Sequence, residues 1–183
     1  MNLRPFAAAF ALAAALQAQA PEDRANLGFK MQVFVPTGDL HNQNGGQPGA
    51  TLAGYLDLPL EELRGVSFRP ILQADYAPKG DAAGLTGNKT RIFALLLGLE
   101  TVWRPNDDGK GPYLHATIGA QNWRVVTETP SGDTTVGGTK LGLDGGVGWQ
   151  WNRHLAFEAR MFWSPVDAGF RATGVAAGFA WTF

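Results

Sequence analysis

The sequence predicts an all-β chain: an eight-stranded antiparallel up-and-down β-barrel that crosses a membrane as residues 21–183, behind a cleaved signal peptide at residues 1–20. Three observations predict it. The segment Gly174–Phe183 alternates strictly, with Val175, Ala177, Phe179, Trp181 and Phe183 on one face and only small residues on the other. The same two-residue period recurs along nearly all of the chain, which is the signature of strands with one apolar face. The front end runs from a basic Met1–Arg4 through an alanine-rich apolar stretch, Phe6–Leu16, to the small-x-small site Ala18-Gln19-Ala20. That is the layout of a secretory signal, too short for a membrane-spanning helix. Pro21 disfavours cleavage after Ala20, so the cut falls after Ala18 or Ala20.

Composition narrows the class. A mature chain of about 165 residues makes one domain. There is no cysteine, so an exported fold relies on hydrogen bonding and packing. A net charge of −1 offers no basic field for nucleic acid. Mean hydropathy is −0.11, with no long apolar run after the signal. This excludes a helical membrane protein, but not a barrel whose strands are apolar only at alternate positions.

The elements follow in order. The first strand, about Asn26–Val35, shows Leu27, Phe29, Met31, Val33 and Val35 outward, with Lys30 and Gln32 inward. The second is about Ala50–Leu58. The third, about Val66–Tyr76, carries Arg69, Gln73 and Asp75 inward, and Pro70 in its middle calls for a bulge. The fourth, about Arg91–Trp103, carries Glu100. The fifth, about Tyr113–Arg124, carries His115 and Gln121. The sixth, about Thr139–Trp151, carries Lys140 and Asp144 among four glycines read as sites of curvature. The seventh, about Leu155–Trp163, carries Glu158 and Arg160, and the eighth is the closing strand. Trp151 and Leu155 share the apolar face, so Asn152-Arg153-His154 is a three-residue hairpin loop. Strands of about nine to thirteen residues suit a tilted crossing. Connections at Thr37–Gly49, Ala77–Thr90 and Val125–Gly138 are long and polar, whereas those on the side of the termini are shorter.

Side chains then sort by face. Lys30, Arg69, Asp75, Glu100, Lys140, Asp144, Glu158 and Arg160 form an expected polar network that plugs the lumen with salt bridges, because eight strands leave room only for side chains and buried charge must pair. Two bands of interface aromatics are expected: Trp103, Trp149, Trp151 and Trp181 toward the short turns, and Tyr76, Phe93 and Trp163 toward the long loops. Catalytic chemistry has little support. Ser131 and Ser164 lie at the opposite rim from His115 and His154, beyond nucleophile–base reach. The histidines lack metal-ligand spacing, and no phosphate-binding loop is present. No catalytic residue, metal or cofactor is expected.

Signal, eight alternating strands, unequal connections and the closing Gly178-Phe-Ala-Trp-Thr-Phe183 together resemble the small OmpA/OmpX-like outer-membrane barrels of Gram-negative bacteria. The resemblance implies residence in the bacterial outer membrane with both termini periplasmic, and contact with outer-membrane lipid and lipopolysaccharide. It also implies engagement of the outer-membrane assembly machinery through Phe179, Trp181 and Phe183. The function it implies is non-enzymatic: three long polar loops with a structural or surface-interaction role and no identifiable surface ligand. A small passive pore, a lipid-modifying barrel enzyme and a soluble exported ligand-binding barrel are the alternatives.

Overall fold

The computed structural model describes residues 26–60, 62–81, 87–106 and 110–183. The expected signal peptide, residues 1–20, lies outside them. Eight strands run in chain order: β1 (Asn26–Thr37), β2 (Gly49–Pro59), β3 (Val66–Asp81), β4 (Lys89–Trp103), β5 (Gly111–Thr129), β6 (Gly132–Gln150), β7 (Leu155–Asp167) and β8 (Phe170–Thr182), with one helix, α1 (Gly38–Asn44), between β1 and β2. Each strand pairs antiparallel with its sequence neighbour, and β8 pairs with β1 to close the barrel. The Phe183 N–H donates to Leu27 O at 2.8 Å, so the terminal aromatic completes the seam.

The registers fix the geometry of the wall. A row of paired residues that leaves β1 at Thr37 passes through Thr173, Trp163, Leu143, Ile118, Leu99 and Pro70, and re-enters β1 beside Leu56 at Leu27. The row has slipped from Thr37 to Leu27, ten residues along one strand. Closing eight strands with that stagger tilts them by about 40° to the axis, so each residue climbs about 2.5 Å. Along β4, Phe93 and Trp103 stand ten residues apart, about 25 Å of height, which is the depth of a membrane-embedded apolar band.

Between those aromatics the outer surface is apolar and exposed. Met31, Val33, Leu52, Leu97, Ile118, Val147 and Met161 all project outward, Met161 with 69% of its surface accessible. Along β1, β4 and β5 most strand neighbours at odd offsets are buried, giving an alternating burial pattern. No helix of the described residues is long and apolar enough to cross a membrane. Trp149, Trp151, Trp103 and Phe183 are exposed at the rim that holds the termini, with Trp181 half-buried beside them. Tyr76 and Trp163 are exposed toward the distal rim, with Phe93 half-buried between Tyr76 and Arg124 in register.

Local expectations meet mixed outcomes. Asn152-Arg153-His154 is a three-residue loop: Trp151 N–H donates to Leu155 O at 2.9 Å, and Asn152 Oδ1 accepts the N–H groups of His154 and Leu155. Pro70 sits without a bulge. The β2–β3 register is unchanged on either side of it, and the ladder lapses only between Tyr55↔Ile71 and Leu58↔Phe68, where the missing N–H faces β2.

Two of the long distal connections form secondary structure. Val125–Gly138, expected as a loop, continues β5 and β6 to a turn at Pro130-Ser131, because Val125, Val126 and Thr127 pair with Val136, Thr135 and Thr134. The Thr129 hydroxyl donates to Gly132 O at 2.7 Å to close it. The first connection forms α1, ended by Gly45 at φ 64° with Gly46 N–H donating to His41 O at 3.0 Å. Leu40 is fully buried beneath it. Asn44, also buried, donates to Gln47 O and accepts from Gly46 N–H. The Asp39 carboxylate accepts Arg171 N–H at 3.1 Å, tying α1 to β8.

Leu40→Ala is expected to loosen α1 while sparing the wall. Limited proteolysis should gain cleavage between residues 38 and 46, and unboiled gel migration should not change.

Candidate functional site

The interior is built in storeys, and the strand register sets which residues share each one. Nearest the termini, Arg69 on β3 pairs directly with Glu100 on β4, its Nη1 3.3 Å from Glu100 Oε2 and its Nη2 3.1 Å from Asp57 Oδ2. Lys30 on β1 reaches across to Glu100 Oε1 at 2.5 Å and Glu158 Oε2 at 2.8 Å. The Tyr113 hydroxyl donates to Glu158 Oε1 at 2.6 Å. His115 Nδ1 lies 3.1 Å from Glu100, and the Arg69 guanidinium stacks 4.5 Å over the Tyr55 ring. Arg104, just past β4, closes the bottom of this layer on Asp57 at 3.0 Å.

One storey up, Arg160 on β7 is the hub. Its Nη1 meets Asp144 at 3.1 Å, its Nη2 meets Thr51 at 3.2 Å and Asp75 at 3.5 Å, and its Nε donates to Gln32 at 2.7 Å. Gln32 in turn donates to Glu158, joining the two layers. Thr51 and Gln73 both donate to Asp75. Lys30, Arg69, Arg104 and Arg160 thus face Asp57, Asp75, Glu100, Asp144 and Glu158, near charge balance, as desolvated charge requires.

Lys140 is the exception among the residues expected there. It has inward parity but is exposed, and no ion pair forms on it within the described residues. The reason is geometric. The β6–β7 ladder ends at Leu143↔Trp163, so Lys140 stands above the point where β6 leaves its neighbour. The other seven are brought into one network. Asp57, Arg104, Tyr55 and Tyr113 join it as well. Asp57 and Tyr55 had a signal, the inward parity of β2 opposite Leu56 and Leu58. Arg104 had none, because it lies in a turn.

The distal third of the lumen is not polar. Phe34, Ile92, Trp123, Val125, Val166 and Ala172 pack there as a buried apolar cluster under Leu40 of α1. The interior, expected as a salt-bridged core throughout, is therefore ionic below and hydrocarbon above. Trp123 keeps its indole N–H satisfied by the buried Ser164 hydroxyl at 2.9 Å, and that hydroxyl donates to Leu141 O at 2.9 Å, marking the top of the β6–β7 seam. Ser164 is thus a structural hydroxyl. No group of metal-ligating side chains occurs among the described residues.

Glycines of β6 make room for this packing as well as for bending. A side chain at Gly148 would overlap the Tyr113 ring, one at Gly142 would overlap Gln121 and Leu96, and one at Gly146 would meet His115.

No family model and no curated protein matches the chain. Solved structures do. Ail, the attachment invasion locus protein of Yersinia pestis, aligns with a TM-score of 0.59 at 12% identity over 87% of this chain and 98% of that one. It has also been solved in complex with the heparin analogue sucrose octasulfate, with a TM-score of 0.57 at 11% identity and the same coverage. Neisserial surface protein A aligns at 0.53 and 12% over 87% of this chain and 97% of that one. The N-terminal β-barrel domain of Pseudomonas aeruginosa OprF aligns at 0.50 and 9% over 85% and 97%.

Two substitutions probe the storeys. Arg69→Ala removes a buried cation shared by Glu100 and Asp57, leaving them to Lys30 and Arg104, and is expected to cost about 3–5 kcal/mol of stability in urea unfolding followed by tryptophan fluorescence. Gly148→Val overpacks the Tyr113 site and is expected to cost about 1–3 kcal/mol in the same assay. The closed eight-stranded wall, its apolar outer band and these structural matches give the chain the fold of the small outer-membrane β-barrels of the OmpA/OmpX-like type.

Proposed function

We propose that the chain is an integral outer-membrane barrel of a Gram-negative bacterium, with residues 1–20 removed on export, both termini periplasmic, a sealed lumen and a non-enzymatic surface role. The observation that carries the reading is the pairing of opposites across one wall: an exposed apolar band outside, and buried ion pairs below a buried hydrocarbon cluster inside. An aqueous barrel would not expose Leu52, Leu97, Ile118 and Met161 together. A pore would need an unfilled path, and here Arg69, Lys30, Glu100 and Glu158 occupy one level while Leu40 and Phe34 block another.

The surface role belongs to the distal rim. The β5–β6 hairpin continues to Thr129 and Gly132, well past the β7–β8 turn between Asp167 and Phe170. The β3–β4 pair likewise reaches Asp81↔Lys89. Half of the barrel wall therefore stands above the other half. Beyond Leu143 the β6 strand is paired only with β5, leaving backbone donors and acceptors on its other edge. Ail, whose structure contains a heparin analogue, supports a contact role for a barrel of this shape. The closing Phe179, Trp181 and Phe183 present the aromatic pattern through which the outer-membrane assembly machinery would take the chain.

Expression in an outer-membrane host tests location and closure together. The protein is expected in the outer-membrane fraction, migrating faster unboiled than boiled. Purified protein in planar bilayers is expected to carry no steady current. Recovery as a folded protein from the aqueous fraction overturns the location, and reproducible conductance steps overturn the sealed lumen.

A further inference from the structure

The seam between β1 and β8 joins strands from the two ends of the fold, and side chains from three elements fasten it at one rim. Tyr55 on β2, Gly28 on β1 and Thr182 on β8 lie in one register row. The row works because its middle member has no side chain. A Cβ at Gly28 would collide with the Tyr55 ring and with Trp181 O. The Tyr55 ring therefore passes over β1, and its hydroxyl reaches two strands away, 2.7 Å from Thr182 Oγ1 and 3.3 Å from Trp181 O.

The β6–β7 turn holds the same residues from the other side. His154 O accepts Thr182 N–H at 2.8 Å. The His154 ring stacks on the Trp181 indole, with 5.7 Å between centroids and 14° between planes. Its Nδ1 lies 2.7 Å from Thr182 O. A carbonyl only accepts, so Nδ1 carries the proton, and Nε2 accepts Arg153 Nε–H at 2.8 Å. The Phe183 ring lies 6.1 Å from that of Phe29 on β1, which meets Phe179 edge-on at 6.1 Å. Trp181, Thr182 and Phe183 are thus gripped from β1, from β2 and from the β6–β7 turn.

These partners arrive at different times. His154 stands beside β8 once β7 and β8 pair. Until β1 arrives, the other edge of β8 offers unpaired N–H and C=O groups, and a partner can add a strand to it. Closure brings β1 onto that edge, sets Phe29 between Phe179 and Phe183, and lets Tyr55 take Thr182.

We propose that His154 and Tyr55 form a latch on Trp181, Thr182 and Phe183 that shuts when β1 meets β8 and withdraws this segment from the partner that takes the unclosed chain. The latch rests on the assembly role given above to Phe179, Trp181 and Phe183, and adds how that contact ends. The mechanism is competition. The strand edge and rings that a partner would engage are the ones that β1, Tyr55 and His154 occupy in the closed barrel.

Two readings on the same variants test it. Amide hydrogen exchange of the folded barrel in detergent micelles reads the latch itself. H154A/Y55F loses the ring stack and the side-chain hydrogen bonds to Trp181 and Thr182 but keeps the Tyr55 ring. Its Thr182 and Phe183 amides are expected to exchange about tenfold faster than in wild type, with mid-seam amides of β1 and β8 unchanged. H154N, which keeps a donor for Thr182 O but no ring on Trp181, is expected to fall between. The second reading adds the unfolded chain to vesicles carrying the purified outer-membrane assembly machinery and follows the fraction still held on it. Wild type is expected to leave as the gel-shifted form, and H154A/Y55F to stay about threefold longer. K140Q, on the distal rim, is expected to leave like wild type. Equal exchange in wild type and H154A/Y55F overturns the latch, as does loss of protection along the whole seam. Faster exchange confined to Thr182 and Phe183 with unchanged release overturns its part in ending assembly. A wild type that closes but is never held by the machinery strikes the assembly reading instead.

Discussion

Closure of eight strands with a ten-residue stagger is the constraint on which the rest depends. It gives every strand a hydrogen-bonded neighbour on both sides, which a lipid surround demands, and leaves an interior too narrow for anything but side chains. The inward residue of each strand must then fit its seven counterparts at the same height. Lys30, Arg69, Glu100, His115 and Glu158 come from five different strands and share one level because of that stagger. A one-residue slip in any hairpin would send one of them to the lipid face.

The two-storey lumen follows from what closes each end. Toward the termini the turns are short, and the interior is reached by long side chains from the rim. Arg104 and Asp57 lie there with their charges partly accessible, which lowers the cost of holding ions beneath them. Toward the distal rim Leu40 of α1 packs into the interior, and the side chains buried with it are Phe34, Ile92, Val125 and Val166 rather than ions. Tyr55 and Tyr113 sit where they do because Gly28 and Gly148 leave their rings space.

The face of nearly every residue was legible in the sequence, because parity in a strand is local. Seven of the eight charges assigned to the lumen face it for that reason, six as buried residues and Asp144 half-buried with its carboxylate on Arg160. Height was not legible, because it depends on the stagger, a property of the whole ring. Lys140 shows the difference: its parity is inward, but its strand has by then parted from β7. The apolar upper storey escaped for a related reason. Phe34, Ile92 and Trp123 have inward parity on three strands, and only their common height makes them a cluster. The helix α1 was hidden in Gly-Asp-Leu-His-Asn-Gln-Asn, seven residues with one apolar side chain and no period. Its formation depends on the pocket that accepts Leu40, which no local pattern encodes.

Unequal strand lengths turn this scaffold into a directional surface. Because β5 and β6 reach far beyond β7 and β8, the wall's hydrogen-bonding edge and its outward cations Arg91 and Arg124 lie on the same side of the rim. The interior contributes rigidity to that side, since Trp123 and Val125 at the root of the projecting hairpin are fixed in the apolar storey. Their outward neighbour Arg124 is thereby held at a set height over Phe93. The lumen and the outer surface are thus two sides of the same strands: the side chains buried inside also preset the groups that face outward at the rim.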